Sequence, residues 1–171
     1  MLYVISVPCT IEAQAYGANR HRETRYAYVK LNGVAVWHAS WRGEYPVNRG
    51  VNVFIVDRSA CTLQEWRNFD THGDRYAAAQ LRDYLQGLSD GTVLVGVSAD
   101  EITTYFYAAR RALSALGAYV SDVGWRGAFV FVAEKGDPSK TVVDKELTEA
   151  AAYGRQPKVN AYIAGTLHYN F

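Results

Sequence analysis

The chain has 171 residues, a hydrophobic fraction of 49% and a formal net charge of +1. This length fits one domain with its own core, and the hydrophobic fraction excludes a disordered chain. The basic residues are scattered and no apolar run is long enough to span a bilayer, so we expect neither nucleic-acid binding nor membrane insertion.

The first third of the chain predicts β-strands. Residues 1–8 lack the basic flank and the length of a signal peptide. Rough alternation and β-branched residues predict a first strand from Leu2 to Ala15. Asn32-Gly33 separates two apolar runs, which is a strong signal for a two-residue hairpin. The other predictions are a loop over residues 16–25 and strands over Tyr26–Leu31, Val34–His38 and Val51–Val56.

Helices and strands alternate in the rest of the chain. Apolar residues at near-helical spacing predict a helix over residues 74–88, with Gly91 after its end. The segment Ser98–Glu101 fits a capping box and predicts a second helix that runs to about Leu116. Gly117 is well placed for a left-handed helix stop. The remaining predictions are a short helix within residues 142–153 and strands over Thr92–Val97, Phe129–Ala133, Val159–Ile163 and Thr166–Tyr169.

The order of elements predicts the fold class. Strands come first, and a strand–helix–strand–helix–strand series follows. This order favours a mixed sheet with helices packed on it, in the α+β or α/β range, with a sandwich of two sheets as the alternative. The two cysteines, Cys9 and Cys61, are compatible with one disulfide, and each could equally be a small buried apolar residue.

Motifs for catalysis or metal binding are weak. The chain has no Gly-x-Ser-x-Gly elbow and no phosphate-binding glycine loop. The alternating Asp70, His72 and Asp74 could bind a metal, but an Asp or Thr here more readily caps the helix that follows. Asp100 and Glu101 are adjacent, whereas a glycosidase needs two carboxylates that flank one bond. We therefore expect no enzyme, no cofactor and no metal site.

Three charged residues lie at the ends of ordered segments. Arg49 precedes one apolar strand, Asp100 follows another, and Arg126 precedes a third. Each could be structural, since Asp100 could favour a helix dipole and Arg126 could stack on Trp125 or pair with Asp100. Together they favour a sugar site, because a carboxylate accepts hydroxyl hydrogens and a guanidinium donates to hydroxyls or to an acetamide carbonyl. The sequence therefore points to a binding module before an enzyme.

An ordered set of short segments carries a family resemblance. The set includes Arg49–Val53, Phe69-Asp70-Thr71, Val93–Val95, Asp100-Glu101, Gly124-Trp125-Arg126 and Phe129–Val132. In order and spacing it resembles the interleukin-like EMT inducer domain family, over roughly residues 5 to 136. The resemblance implies one domain over residues 1–171, of the α+β class, with a β-sandwich-like core of mixed sheets and two main flanking helices. It also implies no catalysis.

The resemblance implies a ligand as well. In the sugar-binding stem domain of protein O-mannose N-acetylglucosaminyltransferase, ligand contacts come from residues that match Arg49, Asp100 and Arg126, and Trp125 would be available for stacking. This likeness implies a secreted, extracellular lectin for glycans that contain N-acetylhexosamine, either N-acetylglucosamine or N-acetylgalactosamine. The alternative is a secreted cytokine-like signalling protein that contacts a protein receptor, although cytokine-like members carry more than two cysteines. Because single sugar sites bind weakly, we expect a homo-oligomer.

Overall fold

The computed structural model of the chain describes residues 4–18, 25–42, 45–46, 48–147 and 156–168. These residues form eleven strands and two helices. In chain order they are β1 (Val4–Gln14), β2 (Tyr16–Gly17), β3 (Tyr26–Leu31), β4 (Val34–Arg42), β5 (Tyr45–Pro46), β6 (Gly50–Asp57), β7 (Thr62–Phe69), α1 (Ala77–Gly87), β8 (Val93–Asp100), α2 (Tyr107–Ala115), β9 (Ala128–Glu134), β10 (Asp137–Glu146) and β11 (Lys158–His168).

The strands form two open sheets. The first has the order β11-β1-β3-β4-β5, and the second has the order β10-β9-β8-β6-β7, with β2 attached to β8. The β2–β8 pair is parallel, and the other described pairs are antiparallel. The described part of the chain is therefore mostly β-sheet with two helices, which is compatible with the predicted α+β sandwich-like fold.

Two hydrophobic clusters hold the layers together. One takes buried side chains from both sheets, among them Ile11, Val29, Phe54, Val95 and Val130. The other joins the second sheet to the two helices through residues that include Val53, Leu81, Leu85, Leu94, Leu113 and Phe129. Because β6, β8 and β9 are buried on both faces, they have continuous apolar sequences, as central strands do. Neither described helix is long and apolar enough to cross a bilayer.

A disulfide ties the two sheets. Cys9 on β1 is bonded to Cys61, which lies in the turn between β6 and β7, with a Cα–Cα distance of 5.2 Å. Both residues are buried. Of the two possibilities that the sequence leaves open, disulfide pairing is the one observed.

Several local predictions are confirmed. Asn32 and Gly33 have φ angles of 48° and 79° and form the two-residue turn between β3 and β4. The predicted strands at Val51–Val56, Thr92–Val97 and Phe129–Ala133 correspond to β6, β8 and β9. The first predicted strand corresponds to β1, and its residues 2 and 3 lie outside the described part.

The predicted start of the second helix is wrong. Ser98 and Asp100 lie in β8, and the Ser98 Oγ accepts a hydrogen bond from the Phe129 amide at 2.8 Å. Pairing with β6 and β9 overrides the capping-box pattern, so α2 begins only at Tyr107. Gly117 follows α2 with a φ of 84°, as predicted. The first helix also begins later than predicted, at Ala77.

The predictions for the polar segments are less successful. The helix predicted within residues 142–153 is wrong up to residue 146, because this part of β10 pairs with β9; residues 148–153 lie outside the described part. The two closing strands form the single strand β11, and residue 169 is not described. Within the predicted loop 16–25, Tyr16 and Gly17 form β2, and residues 19–24 are not described. Strand β7 was not predicted, since its residues are mostly exposed and polar.

Candidate functional site

The ends of three strands meet at one end of the second sheet. Ala99 of β8 pairs with Gly50 of β6 on one side and with Tyr16 of β2 on the other. Asp100 is the next residue along β8, and Gly17 is its partner on β2. Because β6 is antiparallel to β8, the start of β6 lies beside the end of β8, and Arg49 therefore lies at the same end of the sheet as Asp100. The fold therefore gathers residues that are far apart in the chain.

An open pocket of about 270 Å³ lies at this end of the sheet. It is lined by Ala18, Arg25, His72, Asp100, Glu101, Trp125 and Arg126. Three of the four predicted site residues, Asp100, Trp125 and Arg126, thus lie together. The fourth, Arg49, is near the pocket but is not among its lining residues. Arg25 and His72 were not predicted from the sequence as site residues.

Asp100 is the buried acid of the pocket. Asp100 is 7% exposed, and its backbone has a left-handed φ of 63°. Its Oδ1 lies 3.7 Å from Nη1 of Arg25, so the ion pair observed in the described part is with Arg25 rather than with Arg126. Burial raises the pKa of the Asp100 carboxyl above its ordinary value, against the opposing effects of the Glu101 amide and of the Arg25 and Arg49 charges.

Glu101 positions the walls of the pocket. Its Oε1 accepts hydrogen bonds from the amides of Ile102 and Thr103 at 2.9 and 2.7 Å and from the Thr103 hydroxyl at 2.6 Å. Its Oε2 accepts a hydrogen bond from the Arg126 amide at 2.7 Å. The residue is only 4% exposed. Its carboxylate thus satisfies backbone amides, as the capping interpretation supposed, but in a turn outside any helix.

Trp125 and Arg126 form a stacked pair in the lining of the pocket. The guanidinium carbon of Arg126 lies 3.9 Å from the centroid of the Trp125 ring, so the stacking that the sequence allowed is observed. Trp125 is 57% exposed and presents aromatic surface to solvent. Gly17 permits this loop to approach β2, because a Cβ at Gly17 would lie 2.2 Å from the carbonyl oxygen of Arg126.

Arg49 forms an ion pair with Asp70. Its Nε and Nη2 donate to Asp70 Oδ1 and Oδ2 at 3.0 and 2.8 Å, and the Gly73 amide donates to Asp70 Oδ1 at 2.9 Å. Burial raises the pKa of Asp70, but the hydrogen bonds from Arg49 and Gly73 outweigh it, so the pKa lies below its ordinary value. Arg49 therefore acts on Asp100 through its charge.

Asp70, His72 and Asp74, which alternate in the sequence, contact different partners. Asp70 binds Arg49, and His72 Nδ1 lies 2.7 Å from the hydroxyl of Thr104. Asp74 Oδ1 accepts a hydrogen bond from the Tyr76 amide just before α1. Within the described ranges, no three His, Cys, Asp or Glu side chains form a group that could hold a metal ion.

Behind the pocket lies a buried tyrosine. Tyr16 is fully buried beside Asp100 and Arg25, and its hydroxyl has no hydrogen-bond partner among the described residues. Burial raises the pKa of Tyr16, and the negative charge of Asp100 raises it further. Neither Tyr16 nor Arg25 gave a functional signal in the sequence, since only the pairing of β2 with β8 brings this part of the chain to the site.

Comparison with known proteins agrees with the sequence resemblance. A curated relative from Mus musculus, the cell migration-inducing and hyaluronan-binding protein, is 31% identical over 99 residues, which cover 57% of this chain and 7% of the relative. The protein of the same name from Homo sapiens matches to the same extent. Protein FAM3C from Bos taurus is 32% identical over 103 residues, which cover 59% of this chain and 44% of the relative.

The chain thus spans less than half the length of these relatives. A family model described as interleukin-like EMT inducer matches residues 49–137, which is slightly more than half of the chain. This range contains Arg49, Asp100, Trp125 and Arg126, whereas Arg25 lies before it. The chain belongs to the interleukin-like EMT inducer family.

Proposed function

We propose that this chain is an extracellular lectin that binds N-acetylhexosamine-containing glycans without catalysis. The observation that carries the proposal is one open pocket lined by both a buried carboxylate and a stacked Trp-Arg pair. Asp100, Trp125 and Arg126 are the proposed contact residues, and we add Arg25 to them. Arg49 supports the site through its charge and through its ion pair with Asp70.

Each side chain has a distinct task in this proposal. Asp100 accepts hydrogen bonds from sugar hydroxyls, and Arg25 holds its carboxylate in place. The exposed ring of Trp125 stacks on the apolar face of the sugar. Arg126 donates to the acetamide carbonyl, and its stacking on Trp125 fixes the direction of the guanidinium. Such a site recognises an amino sugar by shape and by hydrogen bonds.

The same geometry argues against bond cleavage by this pocket. A glycosidase uses two carboxylates on opposite sides of the scissile bond. The Glu101 carboxylate is buried and accepts hydrogen bonds from Ile102, Thr103 and Arg126, so among the described lining residues only Asp100 has a carboxylate available to a ligand. The proposed role is therefore binding alone.

Two further observations support the proposal. Two relatives are named as hyaluronan-binding, and hyaluronan is a glycan that contains N-acetylhexosamine. The Cys9–Cys61 disulfide is typical of proteins that fold in an oxidising compartment, which supports secretion. A homo-oligomer would raise the avidity of a shallow site by presenting several copies.

The decisive experiment is titration with N-acetylglucosamine and N-acetylgalactosamine, followed by NMR or calorimetry, with a glycan array for longer ligands. Asp100→Asn removes the charge at constant size and is expected to weaken binding by about 10- to 100-fold. Asp83→Asn is the matched control, because Asp83 is an exposed acid on α1 that pairs with Arg82. An array without preference for amino sugars, or equal binding by Asp100→Asn, would reject the lectin.

A second candidate is a cytokine-like signalling protein that acts through protein contacts. It is favoured by the description of the family and by the relative named FAM3C. Competition separates the two functions. Binding to cells that free amino sugar inhibits, and that Trp125→Ala abolishes, supports the lectin. Binding that neither the sugar nor Trp125→Ala affects supports the signalling protein.

A further inference from the structure

The two sheets of the described residues have four edge strands, and three of these strands carry features that oppose pairing with another chain. Strand β5 is two residues long and ends in Pro46. Strand β7 pairs with β6 through a register shift and carries Glu65 and Arg67. Strand β10 has a register shift as well, and it carries Asp137, Pro138, Lys140, Asp144, Lys145 and Glu146. Short length, irregularity, charge and proline are the usual protections of an exposed edge.

Strand β11 has none of these protections along most of its length. It pairs with β1 from Lys158 to His168 without a register shift. Residues 159–167 include no charged residue and no proline. In the described part of the chain, β1 is the only strand that pairs with β11. The Lys158 amide donates to Asp144 Oδ2 at 3.0 Å, so the edge that is open with respect to the described residues begins after Lys158.

A groove of about 480 Å³ lies beside this edge, between β11 and the second sheet. Its apolar lining includes Val132, Val142, Ala161 and Ile163. Its charged side chains are paired within the chain, because Glu134 accepts hydrogen bonds from Arg58 at 2.9 Å and from Lys140 at 3.0 Å. The groove therefore suits an occupant without charge.

We propose that β11 pairs antiparallel with β11 of a second copy of this chain, which joins the two first sheets across a two-fold axis. Residues 159–167 are themselves the uncharged segment that the groove suits. A pairing centred on Tyr162 sets it beside the partner's Tyr162, and cross-strand aromatic pairs are stabilising. The same register sets Lys158 opposite the partner's Thr166, so the two lysines stay apart.

This interface leaves the pocket open. None of the residues that line the pocket belongs to β11 or to the groove. A dimer formed in this way carries two pockets, which is the arrangement that a weak sugar site gains most from. The interface does not depend on sugar binding, so it can be tested independently of the proposed function.

Sedimentation equilibrium tests the interface. Tyr162→Lys opposes two like charges at the two-fold axis and is expected to raise the dimer dissociation constant at least about tenfold. Tyr119→Lys is the matched control, because Tyr119 is 66% exposed and Tyr162 is 67% exposed, and neither change disturbs the core. Unchanged affinity for a free amino sugar in Tyr162→Lys would show that the pocket is intact.

Oxidative cross-linking provides a positive test. Tyr162→Cys is expected to give a covalent dimer under mild oxidation, whereas Tyr119→Cys stays a monomer on a denaturing gel. Three results would overturn the proposal: a wild-type protein that is monomeric at about 100 µM, a dimer that Tyr162→Lys leaves intact, or equal cross-linking of both cysteine variants. A monomer whose β11 edge binds a different protein would also overturn it.

Discussion

The carboxylate of Glu101 accepts a hydrogen bond from the backbone amide of Arg126 at 2.7 Å. The same side chain binds the amides of Ile102 and Thr103, so one buried group fixes both the segment after β8 and the loop before β9. Asp100, the last residue of β8, directly precedes the first of these segments, and Arg126 lies in the second. The relationship therefore sets the width of the pocket before any ligand arrives, which lowers the cost of ordering the site on binding.

Glu101→Gln tests this positioning role. The amide group that replaces Oε2 would face the Arg126 amide, donor against donor, and leave a buried N–H without a partner. We expect the free energy of unfolding to fall by about 1–3 kcal/mol and sugar affinity to fall as well. Urea denaturation measures the first effect and calorimetry the second.

Glu65→Gln is the control for this change. Glu65 lies on the exposed strand β7, and its side chain is 41% exposed where it pairs with Arg67. We expect a change in stability below about 0.5 kcal/mol. If Glu101→Gln and Glu65→Gln were equally mild, Glu101 would not be the fixed link between the two loops.

The disulfide gives a second prediction. Cys9 and Cys61 are separated by 52 residues, and closing a loop of this length in the unfolded chain corresponds to about 4 kcal/mol of stabilisation. We expect the double variant Cys9→Ala, Cys61→Ala to lose free energy of unfolding of this order in urea denaturation. An equally stable double variant would show that the two sheets hold together without the covalent link.

The buried hydroxyl of Tyr16 gives a third prediction. Since it has no hydrogen-bond partner among the described residues, Tyr16→Phe removes a desolvated polar group and keeps the ring. We expect the free energy of unfolding to stay equal or to rise by up to about 1 kcal/mol. Tyr28→Phe is the matched control, because the buried Tyr28 donates a hydrogen bond to Glu12. Only the control should lose stability, and a clear loss in Tyr16→Phe would reveal a bond to its hydroxyl.

In the second sheet, the central strands could be predicted from the sequence, whereas the edge strands β7 and β10 could not. Strands β6, β8 and β9 are buried on both faces, and burial leaves continuous apolar runs. Strands β7 and β10 owe their conformation to pairing with these neighbours, so their own polar residues carry little signal. The same weak signal allowed residues 142–146, at the end of β10, to be predicted as part of a helix.

The residues around the pocket also divide into those that could be predicted from the sequence and those that could not. Asp100, Trp125 and Arg126 could be named from a resemblance that depends on order and spacing. Arg25 could not, because only the parallel pairing of β2 with β8 brings it to Asp100. The engagement of Arg49 with Asp70 also depends on tertiary structure, since Gly73 must come close enough to bind the same carboxylate.

The pH dependence of sugar binding gives a fourth prediction. Burial raises the pKa of Asp100 in the folded protein, so the folded state holds this proton more readily than the unfolded state. Raising the pH from the ordinary pKa of an aspartate to the raised value therefore costs stability, because the buried carboxylate becomes charged. The affinity for a sugar should instead rise with pH over the same range, since the charged carboxylate is the better acceptor for sugar hydroxyls.

We therefore expect affinity for the amino sugar to fall on acidification, with a midpoint above the ordinary aspartate value of 3.8. Calorimetric titrations between about pH 4 and pH 7 measure this dependence. Asp100→Asn should bind weakly and without the acid transition, whereas Asp83→Asn should keep the wild-type profile. An identical acid transition in Asp100→Asn would assign the titration to another group and remove Asp100 from the binding step.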